Sequence, residues 1–217
     1  MKLLNFITLF VLVVGSTAFA AADPNAAAPV WEKSVVKIEV TRNIYDYYQP
    51  WNRRNDRATK FGLVVGDRQI LATAQDLSDR TLVRLQKGGR GRWTNAKVEW
   101  IDYHANLALL TAADAAFWTD LRPANLSGQP PAEGAALQII RWREGKLENR
   151  SADFTQYAVR PSEFSSISHV QLEMDSEIQG VGLGEPVVAK SNVVGIVASQ
   201  RGRTCKVIPA SFIRTIL

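Results

Sequence analysis

Apolar and polar residues alternate with a period of two through most of this chain, in short runs separated by turn residues. Residues 34–40, 61–65, 69–73, 81–85, 93–100 and 107–111 read as strands in the first half. Residues 135–142, 146–152, 170–174, 186–189, 193–198 and 206–209 do so in the second. Alternation of this kind places one face of each strand on a core. Gly66-Asp67 with Arg68, Glu144-Gly145 and Lys190-Ser191-Asn192 are hairpin signals between neighbouring runs. Residues 210–217 alone suggest a short helix. The pattern predicts an all-β chain in two halves, 34–115 and 130–209, joined by a linker over 112–128 with Pro123 and Pro130-Pro131 around it.

Two stretches do not fit the alternation. Residues 154–168 are poorly patterned and read as loop. Residues 42–59 are polar, basic and aromatic, and Pro50 interrupts any regular element. Disordered segments are poor in aromatic residues, whereas Tyr45, Tyr47, Tyr48 and Trp51 stand close together here. Tyr, Trp and Arg are the residue types that anchor interfaces, so these four mark either a binding loop or a loop packed onto the body of the fold.

The N-terminus changes the picture of where the chain works. Lys2 precedes an apolar run, Leu3 to Val14, and Ser16-Thr17-Ala18-Phe19-Ala20 offers small residues for cleavage. This is the layout of a secretory signal over 1–20. The run is shorter than the ~20 residues a membrane span needs, so no membrane span is expected after cleavage. Residues 21–33 would form a flexible N-terminus. The chain has one cysteine and therefore no internal disulfide. Export without disulfides points to a bacterial periplasm or to secretion. A net charge of +5 is mild, and with export it argues against a nucleic-acid partner. The glycine-rich basic stretch 87–92 reads as a solvated hairpin tip. No metal-ligand spacing and no phosphate loop occurs, so neither a metal nor a cofactor is expected.

Three segments then resemble a known family in the right order. Residues 61–75, ending Ala72-Thr73-Ala74-Gln75, resemble the strand, hairpin, strand and turn that carry a histidine in trypsin-like serine proteases. Residues 101–110, with Asn106-Leu107-Ala108-Leu109-Leu110, resemble the strand whose aspartate orients that histidine. Gly182-Leu183-Gly184-Glu185-Pro186 resembles the nucleophile loop. The spacing is similar to the HtrA/Deg branch, whose members carry an extended loop where 42–59 lies. The resemblance covers residues 34–213 and implies two packed six-stranded antiparallel β-barrels with a short C-terminal helix over 34–217. Members commonly continue into a PDZ domain, and none is expected within this sequence.

The departures are as specific as the matches. Gln75, Asn106 and Leu183 stand at the three places of the triad. A leucine has no lone pair for attack, an amide has no basic nitrogen, and asparagine carries no charge. Val181, Gly182 and Leu183 are the equivalents of the oxyanion loop, and Val181 and Glu185 stand where the family has glycines. The resemblance with these replacements implies a protein that is not an enzyme: an exported, inactive homologue that binds protein or peptide, or serves assembly. It would homo-oligomerise or pair with an active relative. The alternative is an active serine endopeptidase with a relocated catalytic group. His104, two residues before Asn106, is a conceivable base, though a surface histidine is the plainer reading. Ser176 and Ser199 lie in the neighbourhood of the loop but not on a sharp turn. His169 reads as a loop histidine and Cys205 as a small buried hydrophobe.

Overall fold

The computed structural model describes residues 31–177 and 179–217. The signal over 1–20 and most of the expected flexible N-terminus lie outside these residues. Trp31 is described and is buried rather than loose, at 2% exposure.

Twelve strands close into two barrels among the described residues. The first holds β1 (Val35–Tyr45), β2 (Arg53–Gly66), β3 (Gln69–Ala72), β4 (Arg80–Lys87), β5 (Trp93–Asp102) and β6 (Leu107–Ala112). The second holds β7 (Ala136–Arg143), β8 (Lys146–Pro161), β9 (Ser168–Asp175), β10 (Pro186–Ala189), β11 (Asn192–Arg201) and β12 (Thr204–Pro209). All ladders are antiparallel. The first barrel closes through β1 on β4, and the second through Val187↔Ile139 and Val188↔Gln138 of β10 and β7. A short α1 (Ala115–Trp118) follows the first barrel, capped by the Asp114 side chain, and α2 (Ala210–Ile216) ends the chain. No helix among the described residues is long and apolar enough to cross a membrane.

Alternation buries both faces of several strands. On β1, Val36, Ile38 and Val40 fill the first barrel, while Val35 points to the seam between barrels. The seam is apolar. Trp31, Val35, Phe61 and Leu63 meet Ile140, Trp142, Val188 and Val193 on one side of it. Leu71, Ala105 and Leu107 meet Ile196, Ala198, Ile208 and Ile213 on the other. Trp142 Nε1 crosses the seam to donate to the Val35 carbonyl at 2.7 Å. The linker is laced to both halves: Ala124 N donates to Val64 O and Ser127 N to Val193 O.

Two predicted loops are ribbons instead. Strands β1 and β2 stay paired to Tyr45↔Arg53, so most of 42–59 is a hairpin arm with only its tip, 46–52, irregular. Strand β8 runs on to Pro161 and pairs with β9 through Pro161↔Ser168. Both extensions face water on their two sides. They therefore lack the apolar alternation by which a strand is recognised, and main-chain pairing alone carries them outward.

Candidate functional site

The two first-barrel places meet directly. Asn106, just before β6, adopts φ 55° and is 2% exposed. Its main-chain oxygen accepts from Ala74 N, and its Oδ1 accepts from Gln75 N at 3.2 Å. Its Nδ2 is buried with no hydrogen-bond partner among the described residues.

Lys60 fixes the turn from below. It is fully buried, and its Nζ donates to the carbonyls of Thr73, at 2.6 Å, and Gln75. Burial pushes the ammonium down to about 7, with Asp76 pulling the other way. Asp76, at φ 64°, is paired with Arg42 at the foot of the hairpin arm. Lys60 lies in phase with Val64 on β2 and opposite Ile38, so its side chain turns to the interior.

Leu183 enters from the second barrel and reaches the same strand. Its carbonyl accepts from Phe61 N, next to Lys60, at 2.9 Å. Gly184 N donates to Val197 O at 2.8 Å. Gly184 has φ 75°, and a Cβ there would stand 2.1 Å from Phe61 O, so only glycine fits. The loop is thus clasped by main-chain bonds to both barrels whatever side chain stands at 183.

The rest of the loop is built around two unusual contacts. Val181 N donates to the side-chain oxygen of Gln200 on β11 at 2.8 Å. An amide oxygen of the protein itself therefore occupies the N–H of Val181, the first of the residues the sequence likens to an oxyanion loop. Behind it, the Glu185 side chain is fully buried, and neither carboxyl oxygen has a hydrogen-bond partner. Gly182 leaves room for it, since a Cβ there would come within 2.8 Å of Oε1. Burial pushes the Glu185 carboxyl up to about 8; the nearby Gly182 main-chain N–H opposes this, and after it Arg141, its Nη1 lying 3.9 Å from Oε1. Arg141 also donates to Gly180 O and to Glu148. The sequence marked Glu185 only as a departure from glycine. Gln200 and Arg141 carried no signal, because their roles arise from contacts between distant segments.

The other residues singled out separate. His104 is exposed; its main-chain N–H donates to Asp102, and its ring makes no hydrogen bond among the described residues. The His169 ring stacks on Phe212 at 5.0 Å. Ser176 is fully buried. Cys205 is buried, and its thiol is pushed up to about 11 by that burial. Ser199 is different. Its Oγ donates to Glu163 Oε1 at 3.0 Å, and Lys206, its cross-strand partner, lies 3.6 Å from the same oxygen. Tyr45, Tyr47, Tyr48 and Trp51 are exposed at the tip of the arm. Among the described residues no cluster of three or more His, Cys, Asp or Glu could hold a metal ion.

This fold, two six-stranded barrels with a loop clasped at their seam, is that of trypsin-like proteases. The chain is a homologue of the Do-like, or HtrA-type, proteases. No protein-family model matches it. It is 24% identical over 189 residues to Protease Do-like 4, mitochondrial, of Arabidopsis thaliana, covering 81% of this chain and 36% of that protein. It is 22% identical over 166 residues to the Serine protease DegP homolog of Plasmodium falciparum, covering 76% and 19%. It spans between 30% and 38% of the length of four Do-like relatives. Among solved structures, the Rv3671c protease of M. tuberculosis in its active form superposes with a TM-score of 0.70 at 18% identity, covering 99% of this chain and 92% of that one. The HtrA-type protease AlgW with a decapeptide gives a TM-score of 0.66 at 12% identity, covering 85% and 63%.

These comparisons correct the expectation that the protein is not an enzyme. Its relatives are named proteases, and its structural neighbours include an active protease form. The physical reason is one of scope. Replaced side chains at 75, 106 and 183 describe what those positions cannot do, and they leave open the other hydroxyls and bases of the domain.

Proposed function

We propose that this chain acts on polypeptides as a serine-type peptide hydrolase of the HtrA type, taking an extended segment of a target protein at the seam between the barrels. The observation that carries this reading is the Val181 N–H, which already donates to an amide oxygen, that of Gln200. A donor satisfied by a side-chain amide is equally satisfied by the main-chain carbonyl of a peptide. The relatives' names supply the reaction class, and the decapeptide-bound neighbour supplies the form of ligand. The N-terminal Lys2 and the apolar run after it support export as the setting.

Leu183, Gln75 and Asn106 supply neither nucleophile, base nor charge. The hydrolytic step therefore falls to another hydroxyl. Ser199 is favoured by its contacts: Glu163 Oε1 accepts its proton-bearing Oγ, and the Lys206 ammonium lies beside that carboxylate. Glu163 would take the proton as Oγ attacks the acyl carbon and return it to the amine nitrogen as the C–N bond breaks; water would then cleave the acyl ester and restore the hydroxyl.

The test is treatment of the protein with casein and with a fluorophosphonate probe, beside a fluorescence-polarisation assay of unfolded-peptide binding. Cleavage and labelling that both vanish in Ser199→Ala support the whole reading. Peptide binding without cleavage or labelling would remove the hydrolytic half, and absence of all three would remove the proposal.

A further inference from the structure

The hairpin arm carries a surface that the seam does not use. Tyr45, Tyr47, Tyr48 and Trp51 are 60%, 90%, 95% and 80% exposed. Rings that open touch little of their own chain, so they are not part of a core or of a packed loop. They project from the end of a two-stranded ribbon whose stem is held by Arg42, paired with both Asp56 on the arm and Asp76 on the barrel rim. The tip itself is shaped from within. Asp46 Oδ1 accepts from Tyr48 N at 2.9 Å and from Gln49 N at 3.2 Å, and Asn52 N donates to Gln49 O. The one carboxylate among the rings is thereby turned to the backbone.

We infer that this tip is a peripheral membrane-binding element that sets Tyr47, Tyr48 and Trp51 into the interfacial layer of an anionic bilayer. Three features select a bilayer over a protein groove. A protruding tip needs no cavity in its partner, and a planar surface accepts it. The residues are Tyr and Trp, amphipathic rings that settle at the headgroup level, rather than the Leu and Phe of a buried plug. The charge is complementary. Arg54 and Arg57 are exposed, neither is in an ion pair among the described residues, and their spacing puts them on opposite faces of the ribbon. A tip-first approach brings a guanidinium to the headgroups on each side. Between Tyr45, Tyr47, Asn52 and Arg54 the tip also holds an open cleft of about 430 Å³, with room for a phosphodiester against Arg54.

The inference stands apart from the reading of the seam and is tested without it. The full chain is sedimented with vesicles of phosphatidylcholine plus phosphatidylglycerol and with pure phosphatidylcholine, and Trp51 is located by brominated-lipid quenching. Binding to the anionic vesicles is expected, with a loss of at least about tenfold in the variant Tyr47→Ser, Tyr48→Ser, Trp51→Ser. Arg54→Gln and Arg57→Gln are each expected to weaken it about fivefold, which is the effect of roughly 1 kcal/mol per basic residue near an anionic surface. These side chains are exposed, so the variants fold, and circular dichroism checks that. Binding undiminished by the triple change would overturn the inference, since it would then arise from another segment such as the apolar residues 3–14. Absence of vesicle binding would overturn it too. So would self-association in the absence of lipid that the triple change abolishes, which would make the partner a second copy of the chain.

Discussion

Glu185 is the residue whose chemistry is most exposed to test. Its carboxyl is buried without a hydrogen bond and holds its proton up to about 8. The folded chain therefore binds a proton that the unfolded chain gives up in the usual carboxylate range. Stability must fall as pH rises from about 4.5 to about 8, because the folded state keeps the extra proton across that window. In Glu185→Gln this slope is absent. Denaturant midpoints at pH 5 and pH 8 should show the wild type losing roughly 3 kcal/mol relative to the variant between them. Equal slopes in the two proteins would mean that the carboxyl is ionised and hydrated. Gln200 is tested at the same scale. Its oxygen competes with any peptide carbonyl for Val181 N–H, so Gln200→Ala should bind an unfolded peptide about fivefold more tightly, in line with ~1 kcal/mol for a net hydrogen bond. Weaker binding would make Gln200 part of the ligand's seat and not its rival. Neither role was legible in the sequence. A glutamate after glycine and a glutamine in a strand acquire meaning only from the 19-residue fold-back that joins 181 to 200.

Elements were more legible than contacts, and the failures share one cause. Strands with a face on a core, such as β3, β7 and β10, lie close to where alternation put them. The outer halves of β1, β2 and β8 have no core to face, and they looked like loops. The turn that carries Leu183 was legible only through resemblance, yet its clasp explains why a glycine had to follow. Replacement of Gly184 by Ala meets both a left-handed backbone and the Phe61 carbonyl. A destabilisation of at least ~3 kcal/mol is expected by chemical denaturation, beyond the 1–2 kcal/mol of the backbone term alone. A cost below 1 kcal/mol would show that the loop gives way there, and with it the idea of a rigid clasp between barrels.

At the scale of the whole molecule, the two barrels share their apolar seam and do not merely touch. Trp142 belongs to the second barrel by chain and to the first by its hydrogen bond to Val35. Trp142→Phe keeps most of the apolar surface and leaves the Val35 carbonyl without its donor, at a cost of about 1–3 kcal/mol. Because the seam is common, hydrogen exchange should show that loss equally at Ile38 in one barrel and Ile196 in the other. Loss confined to the second barrel would mean that the halves open separately. The sequence pattern already divided the strands into two sets of six. It did not foretell that Trp31 and the linker would stitch them, since those contacts join residues far apart in the chain.

The main-chain clasp has a practical side. Because backbone bonds hold residues 183 and 184, the side chain at 183 can be exchanged with little disturbance to its surroundings. The lone native thiol, Cys205, is shut away and reluctant to ionise. A Leu183→Cys protein would therefore carry a single reactive sulfur at the meeting point of the barrels, and the rate at which a soluble maleimide finds it becomes a direct gauge of what occupies that point.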